Sequence, residues 1–140
     1  MAYTPTREDP KKLLIQHLQG HVYKNENETV KVMASYPLET LTEPVIAIQR
    51  TGATSSETLS FDGAKRYLHQ QYAAHIFTDD ESEAYYMMDS LRKKINEDPL
   101  ALRSQGIEYM WAEPGIEVPE EALTTPVIHG VVMIHLWWFE

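Results

Sequence analysis

Residues 67–95, YLHQQYAAHIFTDDESEAYYMMDSLRKKI, constrain the fold most, because two hydrophobic periods meet in them with no linker between. In the first half Leu68, Tyr72, Ala74 and Ile76 share one parity and His69, Gln71, Ala73 and His75 the other, the alternation of a strand with one dry face. In the second half Ala84, Met87, Met88, Leu91 and Ile95 recur at steps of three and four, a single stripe along one side of a helix. Two N-cap patterns mark the join, TDDE at 78–81 and DESE at 80–83, and either supplies a side-chain oxygen to the first unpaired N–H groups. Glu81 and Glu83 fall in the first turn and Arg92, Lys93 and Lys94 in the last, the favourable sign for the helix dipole at both ends. A helix that leaves a strand without a spacer lies back across the sheet containing it, which predicts an α+β domain.

The remaining segments fit that frame. Thr6 or Asp9 caps a first helix with Pro10 in its opening turn, Leu14, Ile15 and Leu18 on its apolar side, and Gly20 as its stop. His17 and His21 flank its C-terminal end, where a cation is favoured. Residues 22–29 hold a polar turn, KNENET, and Val30, Val32, Ala34 and Tyr36 then alternate with Lys31, Met33 and Ser35 as a first strand. Pro44 opens a second, VIAIQR, where a proline costs no ladder bond. Residues 51–66, rich in Gly, Ser and Thr, read as a long loop that docks through Leu59 and Phe61. After the second helix, stopped by Asp98 and Pro99, LALRS adds a short turn, and Ile107, Tyr109 and Trp111 alternate with Glu108 and Met110 in a further strand. Pro114 and Gly115 turn the chain into an acidic loop over 113–126. The expected architecture is a single domain, 1–140, with a four- to five-stranded, mainly antiparallel sheet and two helices packed on one face.

The last strand, residues 127–139, would reach ~40 Å if unbroken, with Gly130 a point at which it can bend. One parity reads Val127, His129, Val131, Met133, His135, Trp137, Phe139 and the other Ile128, Gly130, Val132, Ile134, Leu136, Trp138, so both faces are largely apolar. Two helices cover one face and no third element remains for the other. Either the sheet curls around its own side chains, or the second face is buried against another copy or a partner, as wide apolar patches on soluble chains usually are. Met133, His135, Trp137, Trp138 and Phe139 are the interface candidates, and a self-assembling chain is expected.

Composition excludes several classes. Cysteine is absent, which removes disulfides, thiolate nucleophiles and Cys-based zinc sites. The first residues hold no apolar stretch of a secretory signal, so Asn27 within Asn-Glu-Thr is not expected to be glycosylated, and the longest apolar run is too short to span a bilayer. A soluble protein is expected. The formal charge is −9, and no Lys or Arg follows Arg103, while Glu108, Glu113, Glu117, Glu120, Glu121 and Glu140 do. Tight binding to a nucleic-acid backbone needs clustered cations, so repulsion of DNA is the expectation.

Phosphate-cradling glycine loops, a nucleophile elbow and a helical His-Glu-x-x-His are all missing, so no catalytic residue, cofactor or metal is expected. His69 and His75 share one strand face, as do His129 and His135; were the strands neighbours, one His of each would meet. The six-residue gap within each strand, about 20 Å, is too wide for one metal, and such histidines instead give an interface pH sensitivity. The acidic run at 79–83 is explained by helix capping, and Tyr85, Tyr86, Met87 and Met88 more simply by a core stripe than by a ligand pocket.

The order short helix, strands, loop, YAAHIFTDDESEAYYMMDSLRKKI and a closing VIHGVVMIHLWWFE resembles the tail terminator, or tail-completion, proteins of long-tailed bacteriophages. The likeness covers most of the chain and is one of order and pattern, without a diagnostic motif; the 113–126 loop and the aromatic terminus depart from the family. It implies a homohexameric ring in the virion, without an active site, that caps the tail tube and joins the tail to the head–neck connector proteins. DNA would pass through without specific binding, past a lumen lined by acids for which Glu113, Glu117, Glu120 and Glu121 are candidates. The 51–66 loop would order against a tube or neck subunit. Other readings stay open: another neck or tail component, a host-directed inhibitor, or a cone-shaped ligand-binding or enzymatic domain lined by Tyr72, His75, Asp79 and His135.

Overall fold

The computed structural model describes residues 9–34, 44–58, 66–118 and 128–139. In chain order they form α1 (Pro10–Leu18), β1 (Lys31–Met33), β2 (Val45–Thr58), β3 (Arg66–Thr78), α2 (Glu81–Glu97), a 3-10 turn (Arg103–Gln105), β4 (Tyr109–Ala112), β5 (Ile116–Val118) and β6 (Ile128–Phe139). One sheet runs β1-β2-β3-β6-β4, with β5 also beside β6. Only β1 pairs parallel, to β2; the other described pairings are antiparallel. The fold is therefore the α+β arrangement expected.

Register explains how the core forms. Ile46 faces Ile76 and Ile48 faces Ala74; across the next ladder Tyr72 faces Ile134 and Ala74 faces Val132. Even-numbered residues of β2 before its bulge, of β3 from Leu68 and of β6 thus share one face. Leu13, Leu14 and Leu18 of α1 and Met87, Leu91 and Ile95 of α2 cover it, joining them in one buried cluster. The β3–α2 junction uses the later cap pattern: Asp80 Oδ1 accepts from the N–H groups of Ser82 and Glu83 at 2.8 and 3.2 Å. Thr78 Oγ1 instead donates to Glu83 Oε2 at 3.0 Å, tying the strand end to the first turn. Asp9 caps α1 by accepting from Lys11 N–H at 3.0 Å, and Thr6 lies outside the described residues.

Two expected loops are corrected. Residues 51–58 do not leave the sheet but continue β2, because a bulge absorbs the irregular stretch: pairing shifts register between Thr51 and Ser55, with Gly52 at φ 65°. Leu59 and Phe61 lie outside the described residues. The acidic loop over 113–126 is likewise interrupted by β5. Ala112 pairs with Ile134 and Ile116 with Val131, so the chain advances four residues while β6 advances three. β4 and β5 are one bulged edge strand.

Close approach accounts for two glycines. A Cβ at Gly115 would stand 2.6 Å from Met88 Sδ, and one at Gly130 2.7 Å from the same atom. Met88 fills the slot they leave, fastening α2 to β6 and the edge strand.

Carboxamides close both sheet edges. Gln19 Nε2 donates to Val32 O at 3.0 Å while Val32 N–H donates to Gln19 Oε1 at 3.2 Å. At the other edge Asn96 Nδ2 donates to Ala112 O at 2.9 Å and Ala112 N–H donates back to Asn96 Oδ1 at 2.8 Å. Each amide imitates a neighbouring strand at one residue, which obstructs pairing with another chain there. Among the described residues, no helix is long and apolar enough to cross a membrane.

Candidate functional site

The odd-numbered residues of β3 and β6 point away from both helices, onto what is called here the distal face. Register sets Tyr67 opposite Phe139, His69 opposite Trp137, Ala73 opposite Met133 and Phe77 opposite His129. β4 adds Tyr109 beside Trp137 and Trp111 beside His135. The rings form a ribbon across the strands, with centroid separations of 5.1 Å for Tyr67 and Phe139, 4.6 Å for His69 and Trp137, 5.3 Å for Tyr109 and Trp137, and 4.7 Å for Phe77 and His129.

Four histidines meet in two pairs, as the alternation allowed. His69 Nε2 lies 2.8 Å from His135 Nδ1, and His75 Nδ1 lies 2.8 Å from His129 Nε2. In each pair the ring centroids are 5.0 Å apart, so the two nitrogens sit almost on the line of centres. That is the geometry of one hydrogen bond; a shared metal needs both nitrogens turned towards a third point. Among the described residues, no three metal-ligating side chains come together. Burial pushes the His69 and His75 pKa values down, with His135 and His129 as the second cause in each case. The distal face is consequently less cationic at neutral pH than its histidine content suggests.

Of the interface candidates, Met133, His135, Trp137 and Phe139 lie on this face. Trp138 is a correction: its parity turns it towards the helices, where it is 7% exposed and part of the core cluster. Phe139, one residue on, is 49% exposed. Trp111 and Ile116, at 42% and 63% exposed, extend the apolar surface along the edge strand and were not singled out from sequence. Trp111 was visible in the alternation of its strand; Ile116 was hidden in a stretch read as loop.

The lumen candidates separate. Glu113 approaches His135 Nε2 at 3.5 Å on the distal face. Glu117 pairs with Gly130, whose missing Cβ would point at Met88, so Glu117 is directed to the helix side. No one surface carries both, and Glu120 and Glu121 lie outside the described residues. The imagined cone lining also divides: Tyr72 is buried beneath the helices, where desolvation pushes its pKa up to about 12, while His75 and His135 face the other way and Asp79 is exposed. His17 does not act as a helix-end cation, because burial first and Lys94 second lower its pKa, and its Nε2 has no hydrogen-bond partner.

On the opposite side of the molecule, a cleft of about 390 Å³ opens between α2 and the turn after α1. Its walls include His21, Tyr23, Tyr86, Asp89 and Lys93, and Tyr23 N–H donates to Ser90 Oγ at 2.9 Å to hold the turn against the helix. Tyr85 and Tyr86 are 64% and 42% exposed, so the tyrosines expected in the core stripe stand outside it. No family model matches the chain, and no curated protein is significantly similar to it.

Proposed function

We propose that this chain is a ring-forming structural protein of the virion, a tail terminator that caps the tail tube of a long-tailed bacteriophage and joins it to the head–neck proteins. The observation that carries the reading is the distal face: a long strand in the middle of the sheet is sealed by helices on one side and bears exposed or half-buried apolar side chains on the other. Burying a large apolar side chain contributes about 1.5–3 kcal/mol. Trp111, Ile116 and Phe139 together therefore offset much of an association cost of about 4–15 kcal/mol. The fold order, with a strand feeding α2 directly and an aromatic strand coming last in sequence, supports the family likeness. So does the charge of the chain, because an acidic ring repels the DNA that passes through it.

Light scattering and negative-stain imaging of the purified chain test the reading. A closed ring of six subunits that halts elongation of purified tail-tube protein is the expected result. A monomer at micromolar concentration overturns it, and a ring without effect on the tube moves the assignment to another neck or tail component.

A further inference from the structure

Among the described residues, most of the exposed large apolar side chains fall into two groups that face opposite ways. Trp111, Ile116 and Phe139 mark the distal face and its edge strand, while Tyr23, Tyr85 and Tyr86 mark the outside of α2, with Leu100 apart in the turn that follows. Tyr86 and Lys93 lie about half a helical revolution from the buried row of Met87, Leu91 and Ile95, so they point directly away from the sheet. A twofold contact needs one self-complementary patch; two different patches on opposite sides suit a head-to-tail contact, which closes into a ring when the rotation allows.

Charge separates the patches in the same sense. Among the described residues, Glu113 is the acid placed on the distal face, 3.5 Å from His135 Nε2. Over residues 89–97 the helix carries three cations, Arg92, Lys93 and Lys94, against Asp89 and Glu97. A distal face against α2 brings the acid Glu113 towards the cation Lys93, a complementarity that two distal faces, each presenting Glu113, do not have. The Lys93–Asp89 pair, 3.3 Å long and exposed on both sides, is of the weak kind that exchanges partners readily. Strand addition is obstructed at Val32 and at Ala112 by the Gln19 and Asn96 amides, which disfavours those two edge positions as the contact.

We propose that the distal face of one copy docks on the outer side of α2 in the next copy, with the cleft beside Tyr23 and Tyr86 receiving Trp111 and Ile116. The proposal rests on the ring reading and adds which two surfaces meet.

Two exposed-site variants test it: Trp111→Glu with Ile116→Glu, and Tyr86→Glu with Lys93→Glu, each checked by circular dichroism for an unchanged fold. Alone, each is expected to be monomeric by light scattering. Mixed in equal amounts, they keep one intact contact between them, so a two-chain species is expected. Because the chain has no cysteine, Ile116→Cys combined with Tyr86→Cys should give a ladder of oxidised multimers up to the full ring, while each single cysteine variant stays uncrosslinked. A ring that persists in the Tyr86/Lys93 variant while the Trp111/Ile116 variant dissociates overturns the pairing and leaves the ring reading standing. A mixture that stays monomeric and a cysteine pair that gives no ladder also overturn it. A monomeric unmodified chain removes the ring reading itself.

Discussion

His75 Nδ1 and His129 Nε2 stand 2.8 Å apart across β3 and β6, and Gln49 Oε1 lies 2.8 Å from the other nitrogen of His75. An amide oxygen only accepts, so His75 Nε2 carries hydrogen and donates to it. Neutral His75 then presents a bare Nδ1, which accepts from His129 Nε2–H. A second proton on His75 turns both facing nitrogens into donors and places a cation in a buried site.

Stability should therefore fall in mild acid. The folded-state pKa values of His69 and His75, and of His17, lie below the ordinary 6.5. Above pH 6.5 both folded and unfolded chains are neutral at these rings and the contribution is complete. As pH drops from 6.5 towards the lowered folded values, the unfolded chain takes up protons first and stability declines. Urea unfolding at pH 7.5 and 5.0 reads this, and the difference should shrink in His75→Gln. Equal stability of the unmodified chain at the two pH values would contradict the paired neutral rings.

The Asn96 amide should matter more than a partly exposed polar side chain usually does. Asn96→Ala takes away the partners of both Ala112 N–H and Ala112 C=O. An expected loss of about 1–3 kcal/mol follows from leaving such groups unsatisfied, with faster hydrogen exchange at the Ala112 amide. A change within experimental error at both readouts would show that water replaces the amide without cost.

Adding a methyl at either glycine against Met88 should destabilise by overpacking, about 1–3 kcal/mol. Gly115→Ala should cost more than Gly130→Ala. At Gly115 the new atom meets Met88 Cβ at 2.9 Å as well as Sδ, and Cβ cannot swing aside; at Gly130 the tight contact is with the mobile sulfur alone. Combining each with Met88→Ala in a double-mutant cycle should recover part of the loss. Additive effects would mean that the slot is wider than the distances indicate.

How much of this could be read from the sequence depended on whether a signal was local. The stripe from Ala84 to Ile95 and the alternation from Leu68 to Ile76 are single-segment patterns, and both elements formed where expected. The two histidine pairs were legible only conditionally, because parity fixes which face a ring takes but not which strand lies alongside. Residues 51–58 misled because Gly, Ser and Thr signal a loop locally, whereas here the β3 partner and a bulge at Gly52 hold them in the sheet. Trp138 misled differently: its parity with Leu136 already assigned it to the helix side, but grouping it with its aromatic neighbours concealed that.

Those neighbouring aromatics separate folding from assembly. Trp138 is buried beneath the helices and Phe139 stands half out of the distal face, touching Tyr67 at a centroid distance of 5.1 Å. Trp138→Ala should lower stability by about 3–5 kcal/mol, as large core truncations do. Phe139→Ser should alter stability by no more than about 0.5 kcal/mol, the range of surface changes, yet shift the chain from assembled to smaller species. Thermal melts and sedimentation velocity on the two variants decide it. If Phe139→Ser sediments as the unmodified chain does, the terminal ring contributes nothing to the contact, and the apolar area that drives assembly reduces to Trp111, Ile116 and their half-buried neighbours.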